Sequence, residues 1–593
     1  MKKCEFDNSA RHRTRTGLKA DFTKLGSTFA KGDIAMSVLS RYLPRVDFDS
    51  EADFLQNFRL NVPENFNFVR DVVLHYAQHE PERRALVWCD DRGGELILTF
   101  ADLARRAHQT ARAFARLGVG PGDAVLLCLK GRWHFWTCLV ALELLGAVGV
   151  PATHMLQTGD LVYRFRRLKF KAILAARERG LMNNIRAALV QEGLDLPCLS
   201  VDGPENDWPD FNEAAAREAD APLDDPPAAR PDDTVLLYFT SGTTGMPKMV
   251  PHDRRYPLAH ILTARYWHNC QDGGLHYTVA DTGWAKCVWG KIYGQWLCGS
   301  AVFAYDYDAF DARRMIDRMR HYGVTSFCAP ATIYRLMVKD GFDHLDFTAL
   351  KHCCVAGEPL NPEIFRMWLE RTGMELYEGF GQTESILQVA TWIYTKPNPG
   401  SMGKPAPFYD VALLDSRDQP CDAGGVGEIA LRAPEPGAFE RPPGLFVGYR
   451  DDAEVTASTW HDGYYRTGDL AWRDEDGYYW FVGRSDDLIK SSGYKIGPFE
   501  VENALLSHPA VLECAVTGVP DPVRGQAVKA TVVLTAGYRD RDEAGREALK
   551  KELQTHVKSF TEPYKYPRLV DFVDQLPKTP SGKIRRTALR GEK

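Results

Sequence analysis

Helical and extended periods alternate along this chain, and that alternation limits the folds open to it more than any other feature. Behind a Thr99/Asp102 capping pair, Phe100, Leu103, Ala107, Ala111, Phe114 and Leu117 recur at helical spacing. Gly118, Gly120 and Pro121 stop that helix, and the apolar run Ala124 to Leu129 reads as a buried strand. A second helix over 134–145 leads to the short run Ala147 to Val150. Apolar runs between helices are what strands covered on both faces require, so an α/β fold with a mostly parallel sheet is expected.

At 593 residues the chain exceeds one ordinary core, which predicts a large body with a smaller unit attached. Its 44% hydrophobic and 26% charged content is that of a folded globular protein, and a net charge of −6 argues against a dedicated nucleic-acid binder. The basic run Arg164, Arg166, Arg167 and Lys169 is expected to be a solvated face, with a dock for a phosphorylated ligand as the alternative. The 13 cysteines show no CxxC pair and no Cys/His set at metal-ligand spacing, so neither a disulfide framework nor a zinc site is indicated and a reducing compartment fits. No stretch reaches about 18 uninterrupted apolar residues, so no membrane span is expected. A cytoplasmic location follows; the mitochondrial matrix is the alternative, because Arg11, Arg13 and Arg15 suit a transit peptide while Glu5, Asp7 and Asp21 do not.

Proline and charge gather over 222–233 and again over 434–443, marking exposed connectors. Near Arg484 to Asp487 the elements become shorter: a helix from Pro498, strands Val511 to Val519 and Val528 to Leu534, and a helix around Arg546 to Val557. The expected division is an N-terminal extension over 1–50, a large domain over 51–485 and a C-terminal α+β domain over 486–593.

The segment Leu237 to Lys248, LYFTSGTTGMPK, runs an apolar strand into a loop of Thr240, Ser241, Gly242, Thr243, Thr244 and Gly245 that ends on Pro247 and Lys248. Glycines let backbone amides approach an oxyanion, hydroxyls add donors and lysine adds charge, as a polyphosphate requires. The spacing is not GxxxxGK[ST], since Met249 stands where a hydroxyl is needed. Taken alone, such a loop is read as a phosphate site, with an ordinary turn as the alternative.

With four further segments in order, the sequence resembles the adenylate-forming enzymes, which include acyl-CoA synthetases, peptide-synthetase adenylation domains and luciferases. YEGFGQTES (Tyr377 to Ser385) resembles the adenine and magnesium segment, YRTGDL (Tyr465 to Leu470) the ribose segment, GRSDDLIKSSGYK (Gly483 to Lys495) the hinge region, and PKTPSGK (Pro577 to Lys583) the stretch with the catalytic lysine. The text overall most resembles medium-chain acyl-CoA synthetases. The resemblance implies a large N-terminal domain of mixed and parallel sheets covered by helices, plus a small mobile C-terminal domain. It implies ATP, Mg2+ and coenzyme A alongside a small carboxylic acid, with the chain a monomer or homodimer.

By resemblance, Lys583 contacts the reacting carboxylate and α-phosphate, Thr383 touches the α-phosphate, and Glu384 with Thr240 holds Mg2+. Asp469 takes the ribose hydroxyls with help from Arg484. Glu378, Gly379, Phe380, Gly381 and Gln382 line the nucleotide, as do Gly357, Glu358 and Pro359, a stretch beside both adenine and acyl group in which Gly357 also lines the acyl pocket and a helix-initiating turn is also expected. A carboxylate is a poor electrophile, and joining it to AMP supplies a leaving group at the cost of concentrated negative charge, which lysines and a metal must meet. The second half-reaction needs another arrangement, reached by rotation about Asp486, with Ser492, Gly493, Tyr494 and Arg524 receiving CoA; Lys558 is a further candidate.

In acetate-specific relatives a tryptophan before QTE closes the acyl pocket; here that residue is Gly381. The opened space favours a medium-length, branched or aromatic acid, each buried methylene contributing about 0.8 kcal/mol. Trp284, Lys286 and Trp289 in DTGWAKCVW could narrow the pocket again; core packing is the other reading of Trp289, and a solvated position is the expectation for Lys286. The rival classes are a peptide-synthetase module, for which a carrier domain is missing after Lys593, a luciferase-like oxygenase, and a non-catalytic nucleotide-binding regulator.

Overall fold

Thr99 accepts from the Asp102 amide while Asp102 accepts from the Thr99 amide, and this capping box starts the helix Phe100–Arg116. Its apolar face, Phe100, Leu103, Ala107, Ala111 and Phe114, is fully buried, so the period read from the sequence is the period that packs. The expected strand and second helix follow as Ala124–Cys128 and His134–Leu144. These positions come from a computed structural model that describes residues 37–178, 180–223, 230–240, 246–339, 347–434, 436, 440–578 and 584–590. Ser241 to Gly245 and Lys583 lie outside the described residues.

Two large sheets form the body of the unit that begins at Val38. In one, six described strands run in the order Cys198–Ser200, Phe170–Ala175, Ala124–Cys128, Val148–Pro151, Thr234–Thr240, Lys248–Asp253; all neighbours are parallel except the last pair. In the other, nine described strands include a parallel run from Leu376–Gly381 through His352–Ala356, Ser326–Ala329, Leu275–Thr278 and Ala301–Asp306 to Arg84–Asp90. Helices cover both, as buried parallel strands demand. A five-stranded antiparallel sheet carries Tyr464–Arg473 between Val426–Arg432 and Tyr479–Arg484.

The C-terminal part has its own core, in which Val501, Leu505, Leu549, Leu553 and Val557 pack against Val516, Val528 and Val532. Its helices Pro498–Leu506 and Glu543–Phe560 and strands Val511–Asp521 and Gly525–Leu534 are those expected, with longer ends. The fold is therefore α/β, with a large N-terminal part of mixed and parallel sheets and a smaller α+β C-terminal part.

Three local expectations change. The helix after His352–Ala356 starts at Pro362, capped by the Asn361 side chain, not at Glu358 and Pro359; the Glu358 carboxylate instead accepts from the Thr332 amide. Four residues outside helix and strand, Gly357 to Leu360, precede the cap, which proline at the first helical position places one turn later than expected. The basic run is not one solvated face, because Arg164, Arg166 and Arg167 sit on a helix, Thr158–Arg167, whose faces differ, and Lys169 follows its end. Arg166 is outside and pairs with Glu192, whereas Arg164 is buried with its guanidinium 5.0 Å from the Phe239 ring. Finally, folding brings His268, Cys270 and His276 together, with donor atoms within 4.8 Å of one another. The imidazoles are already engaged: His276 bonds Ser326 at 2.7 Å and Thr278 at 2.8 Å, and His268 Nδ1 meets the Gln295 amide at 3.2 Å.

Candidate active site

The turn between Leu376–Gly381 and Leu387–Ala390 carries Gln382, Thr383 and Glu384, placing the QTE residues at the carboxyl end of a parallel strand, where α/β sheets present ligand sites. The antiparallel sheet brings Asp469 opposite Arg484 as cross-strand partners. Gln382 joins the two: its Nε2 donates to Asp469 Oδ2 at 2.5 Å and to the Thr467 carbonyl at 2.9 Å, and its Oε1 accepts from the Tyr465 hydroxyl at 2.9 Å. Arg484 Nη1 donates to the same carbonyl at 2.8 Å and lies 3.4 Å from Asp469 Oδ2. Burial opposes the Arg484 charge, but Asp469 and Asp486 outweigh it and raise its pKa. Gly468, at φ +72°, leaves no room for a Cβ, which would stand 2.7 Å from the Arg484 guanidinium.

Glu384 is held from two sides, its carboxylate accepting from the Tyr449 hydroxyl at 2.9 Å and its carbonyl from the Phe446 amide at 2.8 Å. Lys248 reaches the same place, its ammonium 4.7 Å from the Tyr449 ring centroid. Lys248 is the cross-strand partner of Thr240, so the ends of the phosphate-loop segment are fixed by one hairpin pair. Beneath the QTE turn, His252 hydrogen-bonds the Thr383 backbone; burial pulls its pKa down to about 3, so the ring is neutral at physiological pH. Glu378 is buried as well, accepts from the Leu360 amide at 3.2 Å, and is pushed up to about 8 by burial.

On the helix Ala285–Lys291, Trp289 is buried, and Lys286 is half-buried with its ammonium end directed at the Ala356 carbonyl. Trp289 is buried and donates through Nε1 to the Tyr256 hydroxyl at 3.0 Å, while its ring fills the space beside Gly381. Lys286 is not solvated: its ammonium donates to the Ala356 carbonyl at 2.5 Å, and it lies 3.7 Å from where a Cβ on Gly357 would stand. Burial lowers its pKa, more than the neighbouring Cys328 and Glu358 raise it. Trp284 is half-buried at the N-cap of this helix.

The CoA candidates form a second group in the C-terminal part. Ser492 and Gly493, both at positive φ, make the two-residue turn between Ile489–Ser491 and Tyr494–Ile496. That turn geometry explains the glycine, since no atom lies within 4 Å of a Cβ built there. Ser492 donates from its amide to the Arg524 carbonyl at 2.9 Å, Tyr494 stacks on Tyr564 at 4.1 Å, and Lys558 lies 4.0 Å from the Tyr566 ring. Asp486 sits in the turn after Tyr479–Arg484, 3.5 Å from Arg484.

A carboxylate within an antiparallel strand opposite an arginine, and a second carboxylate sharing a tyrosine with a lysine, form an arrangement suited to a nucleotide-activating ligase of the adenylate-forming class. An AMP-binding enzyme model matches residues 73–440, and the AMP-binding enzyme C-terminal domain matches residues 500–583. The chain belongs to the AMP-binding enzyme family, in which it is an acyl-CoA synthetase. Mouse (Mus musculus) mitochondrial acyl-coenzyme A synthetase ACSM3 is 38% identical over 554 residues, covering 92% of this chain and 93% of the relative. Human (Homo sapiens) mitochondrial acyl-coenzyme A synthetase ACSM4 is 39% identical, covering 91% and 93%. Among solved structures, the anthranilate CoA ligase AuaEII in complex with anthranoyl-AMP superposes with a TM-score of 0.79 at 27% identity, over 89% of this chain and 98% of that one. The benzoate CoA ligase from Burkholderia xenovorans LB400 gives 0.76 at 27%, over 88% and 100%.

The residues that sequence reasoning missed are Tyr449 and His252. Neither stands in a motif with a spacing of its own, and each acquires its place only when the 445–449 segment and the strand Lys248–Asp253 fold against the QTE turn.

Proposed function

We propose that this acyl-CoA synthetase activates a medium-chain or branched short-chain carboxylic acid in two steps, through an acyl-adenylate. The observation that carries the reading is the hydrogen-bonded frame from Asp469 through Gln382 to the QTE turn, with Glu384 and Lys248 beside Tyr449. It supports the reading because Asp469 as the ribose carboxylate and Lys248 as the phosphate cation would then share one rigid support, as in-line displacement at an α-phosphate requires.

In the first step the substrate carboxylate attacks the α-phosphorus of ATP and diphosphate leaves. Asp469 accepts the ribose hydroxyls, Arg484 fixes Asp469, and Lys248 with the loop from Thr240 receives the polyphosphate. The Glu384 carboxylate and Thr240 hydroxyl are hard oxygen donors of the kind Mg2+ takes, and Mg2+ bound there would neutralise phosphate charge. Lys583 meets the charge that develops between the carboxylate and the α-phosphate. In the second step the C-terminal part, 486–593, turns about Asp486, bringing Ser492, Gly493, Tyr494 and Arg524 to the adenylate; the CoA thiolate attacks the acyl carbon and AMP leaves. Gly381 removes one wall from the acyl pocket and Trp289 supplies another, which favours acids between acetate and long chains. The mitochondrial matrix is the favoured location, supported by the naming of the relatives, with the cytoplasm as the alternative.

Acid-dependent diphosphate release, followed by CoA-dependent thioester formation with AMP as product, tests the reading. With acetate, 2-methylbutyrate, octanoate, benzoate and palmitate compared, 2-methylbutyrate or octanoate should lead; preference for acetate or palmitate would refute the assignment of the acid. Lys583→Ala should abolish adenylate formation while sparing thioester formation from preformed adenylate.

A further inference from the structure

Two groups, one assigned to the divalent cation and one to the polyphosphate, converge on one side chain that neither motif contains. The Tyr449 hydroxyl donates to Glu384 Oε1 at 2.9 Å, and its ring face lies 4.7 Å from the Lys248 ammonium. Tyr449 is itself immobilised: it is 7% exposed, its amide donates to Thr456 Oγ1 at 2.9 Å, and its ring packs edge-on to Phe446 at 4.9 Å. The hydroxyl also makes a hydrogen-bonding contact with Tyr465, which donates to Gln382, which donates to Asp469. A carboxylate in water samples many rotamers; one that accepts a phenolic hydrogen bond is held in a fixed direction before any cation arrives. A lysine on an aromatic face is likewise held without losing its charge to an acid.

We propose that Tyr449 is a positioning residue for adenylation, its hydroxyl aiming the Glu384 carboxylate at the divalent cation while its ring carries the Lys248 ammonium toward the polyphosphate. The inference rests on reading Glu384 as the metal carboxylate, and it separates the two functions of the side chain: the hydroxyl serves the cation and the ring serves the lysine.

Tyr449→Phe and Tyr449→Leu test it on the full-length enzyme, with Glu384→Gln as reference. Binding of Mn2+ in the presence of ATP is read by electron paramagnetic resonance, and the KM for diphosphate by ATP–diphosphate exchange. Loss of a hydrogen bond to a charged group should weaken Mn2+ binding roughly tenfold in Tyr449→Phe, with the KM for diphosphate unchanged. Tyr449→Leu should show the same loss and additionally raise that KM about fivefold. Circular dichroism melting accompanies each, and Tyr449→Phe, which keeps the ring, serves if the leucine variant does not fold. Wild-type Mn2+ affinity in Tyr449→Phe, with binding lost in Glu384→Gln, overturns the role of Tyr449 alone. Wild-type affinity in Glu384→Gln overturns the metal assignment and this inference with it.

Discussion

Trp289 and the Ile386 carbonyl together occupy the volume that a side chain at position 381 would need, since a Cβ built on Gly381 stands 2.7 Å from the Trp289 Cη2 and closer still to the Ile386 oxygen. The indole comes from the helix Ala285–Lys291 rather than from the strand end, and its Nε1 is tied to the Tyr256 hydroxyl. Glycine and tryptophan therefore form one complementary pair: the strand gives up a side chain and the helix fills the gap. Trp289→Gly should extend the acid range toward longer chains, raising kcat/KM for octanoate and palmitate relative to 2-methylbutyrate. A buried tryptophan truncated this far costs about 3–5 kcal/mol, so a lowered melting temperature is expected alongside. Diphosphate release across the acid series reads the outcome, and an unchanged order of acids would remove Trp289 from the pocket wall.

Lys286 gives a prediction with a pH signature. Its folded pKa is lowered by burial, so between that value and the ordinary 10.5 the unfolded chain holds more protons than the folded one. Stability contributed at this site therefore rises as pH rises through the lowered folded value. Lys286→Met should be favoured over wild type most at neutral pH, and the difference in melting temperature should shrink as pH approaches 10. Parallel melts at pH 7, 8, 9 and 10 measure this; a difference that is flat with pH would mean the ammonium is not desolvated.

How far the sequence discloses this molecule depends on the range of the interaction concerned. The helix Phe100–Arg116 was legible to its capping box, because period and cap are both local. Asp469, Arg484 and Gln382 were legible as separate motif residues, while the bond between Gln382 and Asp469 spans 87 positions and exists only after two sheets pack. Lys286 shows the opposite case. A lysine three residues from a tryptophan favours solvent on composition alone, and only the fold, by setting Ala356 and Gly357 against it, turns the ammonium inward. Tyr449 carried no signal, since a tyrosine in a Gly/Pro-rich loop is ordinary until Glu384 and Lys248 arrive beside it.

Removing the charge from Asp469 tests the ribose assignment. Asp469→Asn keeps the shape but gives up the acceptor that Gln382 and Arg484 address, leaving the Arg484 guanidinium with less compensation. The expected loss in kcat/KM for ATP is about 10- to 100-fold, the range for a hydrogen bond to a charged group. The loss should appear with ATP and be smaller with 2′-deoxy-ATP, for which one ribose hydroxyl is already missing. Equal losses with the two nucleotides would place Asp469 in a scaffold role instead.

Glu378 sets a pH dependence of opposite sign from Lys286. The carboxyl is buried, its Oε1 accepts from the Leu360 amide, and burial pushes its pKa to about 8, so at neutral pH it is mostly protonated. An unfolded glutamate titrates near its ordinary value, about 4.3. Between about 4.3 and 8 the folded state binds the extra proton, and ∂ΔG/∂pH for unfolding is negative: wild-type stability should fall across that window. Glu378→Gln keeps the amide acceptor without a titrating proton, so its stability should be flatter with pH and exceed that of wild type by pH 8. Each pKa unit corresponds to about 1.4 kcal/mol, so even a fraction of the displacement is measurable. Because Leu360 belongs to the loop that follows Gly357 and Glu358, ionising Glu378 in place should also weaken ATP binding in wild type as pH rises past 8, and leave Glu378→Gln unaffected. Denaturant melts and ATP titrations at pH 5, 6, 7, 8 and 9 measure both, and parallel pH curves for the two proteins would show that the carboxyl ionises normally inside the fold.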